Sequence, residues 1–164
     1  QKYPEYTTKS ALKHSENKQL APAVFSIGYE KKDIDLFLDY LIQNRIDILV
    51  DVRANPFSMN FAFTKKKLEQ SLNSVQIEYT HFPELGIDGE LRKKLETDAD
   101  YKRLFDFYEK SILPNKTDKL KALLEIGKRK RIALMCFEAD HEHCHRGIIS
   151  KKLEEIGDIK VAHL

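Results

Sequence analysis

Short apolar runs alternate along the chain with longer segments whose apolar residues recur at helical spacing. Four apolar runs have the length of strands and end at turn-forming or charged residues: 24–27, 46–52, 77–82 and 132–137. A fifth short run at 160–164 predicts a final strand. Helical spacing marks the segments between them: 34–42, 64–72, a long region to 112 that breaks near Thr97, 119–127 and 146–156. Asp33 is placed to cap the first helix, and Pro114 is expected to end the long helical region.

This alternation predicts an α/β fold: a single domain over residues 23–164, with three layers and a mainly parallel sheet covered by helices on both faces. The run Ile48, Leu49 and Val50 has the continuous apolar character of a buried central strand. Residues 1–22 are polar and lack an apolar period, so we interpret them as an N-terminal arm.

Composition narrows the functional classes. The chain has 164 residues, which suits one domain, and 41% of them are hydrophobic and 33% charged. No stretch approaches the roughly 18–20 apolar residues of a membrane span, and two cysteines do not suggest a disulfide scaffold, so a cytoplasmic protein without a membrane partner is expected. Net charge is +2, yet basic residues form runs at 65–67, 92–94 and 128–131. These runs are either solvated helix faces or, if the fold joins them, a phosphate-binding surface.

Two polar segments follow strands, and in parallel sheets ligands bind beyond the carboxyl ends of the strands. Asp51 and Arg53 end the central strand and point to one face, where they either pair only with each other or form part of a site. Ser58 belongs to a loop that is expected to close over them. His81 follows the third strand, where a structural role competes with a binding role.

The segment from Cys136 to Arg146 is the densest polar group. Cys144 is expected near a helix N-terminus, where the helix dipole would lower the pKa of its thiol, and Arg146 to bind a phosphate or carboxylate. Glu138 is a candidate general acid or base, and Gly147 would let a ligand approach the backbone. Three interpretations stay open: a thiol or carboxylate active site or anion pocket, a polar loop beside a buried Cys136, and a zinc site, although the spacing fits no usual zinc pattern. The zinc interpretation would draw its ligands from Cys136, His141, His143, Cys144 and His145.

Several segments together resemble the family called domain of unknown function 488. They are residues 26–30, 49–53, 55–58 with Phe63 and Lys65, 79–86, 136–138 and 144–146. The resemblance implies an α/β fold with a polar pocket built from the Asp-Val-Arg and Cys-His-Arg segments. Two positions depart from the family pattern: Met59 stands where an arginine is frequent and Ile87 where a glycine is common. A fainter similarity to rhodanese-type domains transfers no activity.

These observations support three hypotheses: an enzyme acting on a phosphate-bearing substrate (nucleotide or nucleic acid), a non-enzymatic anion- or nucleic-acid-binding module, and a zinc-binding protein. The candidate catalytic residues are Asp51, Glu138 and Cys144. The candidate substrate-binding residues are Arg53, Ser58, His81, His145 and Arg146. No residue is assigned to a metal on the sequence alone, and zinc is kept as an alternative.

Overall fold

The apolar runs form a five-stranded, all-parallel sheet in a computed structural model that describes residues 20–93 and 95–164. The strand order is β3-β2-β4-β1-β5, so the chain crosses over between neighbouring strands. The strands are β1 (Ala23–Gly28), β2 (Ile48–Asp51), β3 (Glu78–His81), β4 (Arg131–Cys136) and β5 (Val161–His163). The predicted single α/β domain with a mainly parallel sheet is confirmed. Most of the proposed N-terminal arm, residues 1–19, lies outside the described residues.

Among the described residues, five α-helices connect the strands. They are α1 (Ile34–Gln43), α2 (Lys65–Ser74), α3 (Asp98–Phe107), α4 (Thr117–Gly127) and α5 (His145–Gly157). The Asp33 carboxylate accepts a hydrogen bond from the Leu36 amide at 2.8 Å, which confirms the predicted cap of α1. The expectation that Pro114 ends the helical region is wrong. A π turn (Tyr108–Ile112) and a 3-10 turn (Leu113–Lys116) continue from α3 into α4, because a proline in a helix's first turn needs no amide partner.

The sheet separates two apolar cores, one on each face. Phe37 and Leu41 of α1 and Leu68 and Leu72 of α2 pack on one face, with Leu49 of the central strand. The opposite core contains the buried residues of α3, α4 and α5. Along β4 the side chains alternate, so Ala133 and Met135 join the first core and Ile132, Leu134 and Cys136 join the second. The side chain of Cys136 therefore points to the face that α5 covers.

The strand order brings three loops to one edge of the sheet. Gly28 pairs with Cys136 and Asp51 pairs with Met135, so the carboxyl ends of β1, β2 and β4 lie side by side. The helix α5 begins at the same edge, close behind the loop that follows β4. Within the described residues, no helix has the length and apolar character needed to cross a membrane.

Candidate functional site

Asp51 and Arg53 form a buried ion pair at the carboxyl end of β2. The Arg53 guanidinium donates to both carboxylate oxygens, with Nη2 at 2.6 Å from Oδ2 and Nε at 2.9 Å from Oδ1. The Tyr79 hydroxyl donates to the same carboxylate at 2.8 Å. Burial by itself would lower the pKa of Arg53, but the Asp51 carboxylate more than offsets this and raises it. Asp51 has no exposed surface, so it holds Arg53 in position and has no access to a ligand.

The Nη1 atom of Arg53 binds two segments that neighbour β2: the loop after β1 and the turn before α2. It donates to the Tyr29 hydroxyl and to the Phe63 carbonyl, both at 3.0 Å. The Tyr29 ring stacks on Phe63 with 4.3 Å between ring centroids. Arg53 thus fixes the loop after β1 and the turn before α2 around the end of β2, and its outer edge borders a pocket.

Arg146 is turned away from that pocket. Its side chain is 1% exposed, and its guanidinium donates to the backbone carbonyls of Glu138 and Ala139 and to Oγ of Ser26. The sequence predicts that Arg146 binds a phosphate or carboxylate ligand; in this structure each guanidinium nitrogen instead donates to the protein, two of them to carbonyls of the loop after β4 and one to Ser26. At Gly147 the sequence predicts that a ligand comes close to the backbone. In the structure the His141 carbonyl takes this place, since its oxygen lies 2.1 Å from the point where a side chain on Gly147 would begin.

Cys144 caps α5 from a buried position. Its thiol is 1% exposed and makes no capping hydrogen bond to the first turn of the helix. Burial raises the pKa of Cys144 well above its ordinary value, and the neighbouring Cys136 adds to the rise. The lowered pKa expected at the start of a helix is not found for Cys144, because burial favours the neutral thiol.

Cys136, Glu138, His145 and Arg92 form a compact polar cluster at the end of β4. The Sγ atom of Cys136 lies 3.2 Å from Oε2 of Glu138 and 3.6 Å from Nδ1 of His145. Nη1 of Arg92 donates to Oε1 of Glu138 at 3.0 Å. The His145 ring is oriented by its other nitrogen, Nε2, which lies 2.9 Å from the Val52 carbonyl. A carbonyl only accepts, so Nε2 is the donor in this contact, and Nδ1 is the nitrogen that faces the cluster.

Glu138 is ionised in this environment. Burial alone would raise its pKa, but hydrogen bonds from the cysteine thiols and its own backbone, together with the Arg92 charge, lower it to about 2. The pKa of Arg92 is raised above its ordinary value. Burial alone would lower this pKa, but the Glu138 carboxylate raises it by more. The pair joins the short turn Gly89–Arg92 to the loop after β4.

A pocket of about 390 Å³ opens over these groups. Its lining residues are Tyr29, Arg53, Ala54, Phe57, Ser58, Met59, Asn60, Ile87, Arg92, Cys136, Phe137 and His145. Of the predicted site residues, Arg53, Ser58 and His145 line the pocket, and Glu138 borders it through Arg92. His81 does not line it, because its Nε2 is 2.8 Å from the Arg53 carbonyl behind the pocket wall. The two polar segments predicted to meet at this edge therefore do meet.

A comparison with family models identifies the family of this chain. A family model described as domain of unknown function DUF488 matches residues 33–153. The chain belongs to the DUF488 family. Comparison with the curated proteins and with the solved structures found no match. The matched residues include Asp51, Arg53 and the segment from Cys136 to Arg146, whereas Tyr29 precedes them.

The two departures from the DUF488 pattern lie on the pocket wall. Met59, at the position where an arginine is frequent, is 93% exposed at the rim, and Ile87 is buried against the pocket. This DUF488 protein therefore presents an apolar side chain at the rim where the resemblance suggests a cation. The cation that reaches into the pocket from outside the predicted segments is Arg92.

The basic runs of this DUF488 protein do not form one face. The run at 65–67 begins α2, on one face of the sheet and near its carboxyl edge, whereas the run at 128–131 follows α4 on the other face and leads into the amino end of β4. Arg131 is also engaged, since its guanidinium donates to the carbonyls of Asn44 and Ala21. A phosphate-binding surface would require the fold to bring the basic runs together, and these two runs lie apart.

Sequence reasoning missed Arg92 and undervalued Cys136. Arg92 stands in a basic run that is typical of a solvated surface, and only the tertiary contact with Glu138, 46 positions away, brings it to the pocket. Cys136 ends an apolar strand, which favours a core position. The signal that could have found it is its place at the carboxyl end of a parallel strand, shortly before Glu138.

Proposed function

We propose that this DUF488 protein is an enzyme acting on a phosphate-bearing substrate of nucleotide size. The observation that carries the proposal is the convergence of Arg53 and Arg92 with Glu138 and His145 at a single pocket walled by aromatic side chains. The pocket volume of about 390 Å³ falls within the roughly 300–1,000 Å³ typical of small-molecule sites.

Arg92 is the group best suited to bind an anion. Its side chain is 31% exposed, and its contacts among residues 20–93 and 95–164 are Nη1 to Glu138 and Nη2 to His145. Nε and one hydrogen on each terminal nitrogen are free to donate outward, in the planar arrangement that matches phosphate oxygens. Arg53 offers less, because Asp51, Tyr29 and Phe63 take most of its donors.

The walls of the pocket suit an aromatic group on the same ligand. Phe57 and Phe137 are 65% and 47% exposed, and both line the pocket beside Tyr29. Phe137 meets Tyr29 edge-on, with 5.3 Å between ring centroids. Exposed aromatic faces gain about 1–3 kcal/mol by stacking with a nucleobase. A nucleotide combines such a base with the phosphate that the arginines favour.

Glu138 is the proton acceptor of this proposal. Its carboxylate is held by Arg92, which lines the pocket. Asp51 and Cys144, the other two candidate catalytic residues, are buried behind the pocket and have no role in this proposal beyond support. Ser58 keeps its expected place in the wall, where its Oγ accepts from the Asn60 amide at 3.1 Å.

The test is calorimetric titration with nucleoside monophosphates and inorganic phosphate, followed by chromatography of the nucleotide after incubation. We expect binding that Arg92→Ala weakens about 10- to 100-fold, because a charge-assisted hydrogen bond contributes about 1.5–3 kcal/mol. Arg129→Ala is the matched control, since Arg129 is exposed at the far end of the molecule. We expect Glu138→Gln to retain binding and to slow consumption of the nucleotide about 100- to 10,000-fold.

Four results would count against the proposal. One is the absence of nucleotide binding at millimolar concentration. The second is an Arg92→Ala variant that binds as tightly as the wild type, and the third is a Glu138→Gln variant that turns over at the wild-type rate. The fourth is binding of a single-stranded oligonucleotide, but of no free nucleotide, with Arg129→Ala weakening it. That result would move the activity from the pocket to the basic surface.

A further inference from the structure

We propose that Cys136, Cys144 and His145 form a binding site for a thiophilic divalent metal ion such as Zn²⁺, with one coordination position open to the pocket. One nitrogen and two sulfur atoms, all within 4.8 Å of one another, meet at this point among the described residues. Cys136 comes from the end of β4, and Cys144 and His145 come from the start of α5. This inference stands on the donor atoms and does not depend on the identity of the substrate.

The distances agree with tetrahedral coordination. A zinc ion with bonds of about 2.3 Å to sulfur and about 2.0–2.1 Å to nitrogen separates a sulfur and a nitrogen ligand by roughly 3.6 Å, and two sulfurs by roughly 3.8 Å. Nδ1 of His145 lies 3.6 Å from Sγ of Cys136 and 3.9 Å from Sγ of Cys144. The two sulfur–nitrogen distances therefore agree with such a tetrahedron, and the two sulfurs lie within 4.8 Å of each other.

The histidine presents the correct nitrogen. Nε2 of His145 donates to the Val52 carbonyl at 2.9 Å, so Nδ1 is the nitrogen that is directed at the two sulfurs and available to a metal. Histidine ligands of metals commonly donate their other nitrogen to a carbonyl or carboxylate in this way, because the bond fixes the ring's tautomer and orientation. Val52 belongs to the polar segment after β2, so this segment fixes the orientation of His145, which belongs to the other polar segment.

The arginine next to His145 in the sequence does not oppose a metal at the two sulfurs. Arg146 adjoins His145 in the chain, but its guanidinium is bound to the carbonyls of Glu138 and Ala139 and is turned away from the sulfurs. Two thiolates would neutralise a divalent ion, as a buried site requires. Nη2 of Arg92 lies 3.4 Å from Nδ1 and would give up this contact to the metal while keeping Glu138.

The zinc interpretation of the sequence is narrowed from five residues to three. His143 pairs with Asp140 on the surface, and His141 stacks on His163 with 3.5 Å between ring centroids. Three protein ligands with an open fourth position are the arrangement of catalytic zinc ions, whereas structural zinc ions have four protein ligands. Cys136 and His145 both line the pocket, so the open position faces the space where the proposed substrate would bind. This last step rests on the proposed function.

The test is titration of the full-length, thiol-reduced protein with Co²⁺ and Zn²⁺ in a phosphine reductant. We expect one equivalent of metal per chain, visible absorption of tetrahedral Co²⁺ and near-ultraviolet thiolate-to-cobalt charge transfer. Cys144→Ser and Cys136→Ser are each expected to weaken binding at least about 100-fold, which is the upper limit for loss of a residue that merely supports a ligand. His143→Gln is the matched control and is expected to bind as the wild type does.

The wild-type titration decides the matter even if a cysteine variant fails to fold. Less than about half an equivalent of bound metal, with both thiols shown to be reduced, would overturn the site. So would Co²⁺ spectra without thiolate charge transfer, or binding lost in His143→Gln but kept in Cys144→Ser. The outcome is separable from the proposed function, because Arg92→Ala is expected to lose nucleotide affinity while still binding one equivalent of metal.

Discussion

At the scale of single residues, the buried guanidinium of Arg146 holds the loop after β4 in place. It donates to two consecutive carbonyls, those of Glu138 and Ala139, and to Oγ of Ser26 on β1. Each carbonyl would lose its charged partner if the side chain were removed, and a buried polar group without a partner costs about 1–3 kcal/mol. Arg146 therefore acts on the site through the backbone of the loop that carries Glu138.

Replacement of Arg146 is expected to affect stability before it affects binding. We expect Arg146→Ala to lower the free energy of unfolding by about 3 kcal/mol, and Arg146→Lys to recover less than half of that, since one ammonium does not reproduce a planar fork of donors. Urea unfolding followed by circular dichroism measures both values. Arg129→Ala, at an exposed arginine, is the control and is expected to change stability by less than about 0.5 kcal/mol. A loss below about 1 kcal/mol in Arg146→Ala would contradict the role given to this residue.

At the scale of elements, the strand ends and loops at the pocket are in backbone contact. A side chain on Gly28 would begin 1.8 Å from the Glu138 carbonyl oxygen and 3.0 Å from Cα of Ala139. The end of β1 and the loop after β4 thus approach more closely than any residue with a Cβ atom permits. This contact therefore sets how far the backbone of Glu138 lies from the end of β1.

The close approach at Gly28 gives a stability prediction. Gly28→Ala is expected to push the loop away and to lower the free energy of unfolding by about 2 kcal/mol, within the range of overpacking substitutions. Gly89→Ala is the matched control, because nothing lies within 4 Å of the place that its added methyl group would take, and no loss is expected there. Thermal unfolding of the two variants makes the comparison. Equal stability of Gly28→Ala and the wild type would show that the loop is not held at this distance.

Secondary structure and caps could be predicted at this scale because their causes are local. The Asp33 cap and the strand at Ile48 to Asp51 depend on residues within a few positions of one another. The continuation past Pro114 and the orientation of Arg146 could not be predicted, since each is decided by segments that only the fold brings together. The same holds for Arg92, whose partner Glu138 lies on a different loop.

At the scale of the whole molecule, the strand order makes the site. Placing β4 between β2 and β1 puts the Asp51–Arg53 segment beside the Cys136–Arg146 segment and sets Tyr29 across from both. The general rule for parallel sheets predicted the edge of the sheet at which the polar residues gather. It did not predict which side chains face the pocket, because the burial of Cys144 and Arg146 depends on the packing of α5, and that of Asp51 on its contacts with Arg53 and Tyr79.

The most direct test of the shared pocket is a nuclear magnetic resonance titration of the ¹⁵N-labelled protein with a nucleoside monophosphate. We expect amide shift changes at residues 54–60 and 137–139 together, with the same dissociation constant for both segments, because both line the pocket. Shift changes confined to residues 65–67 or 128–131, or to one of the two pocket segments alone, would contradict the conclusion that they form a single binding site.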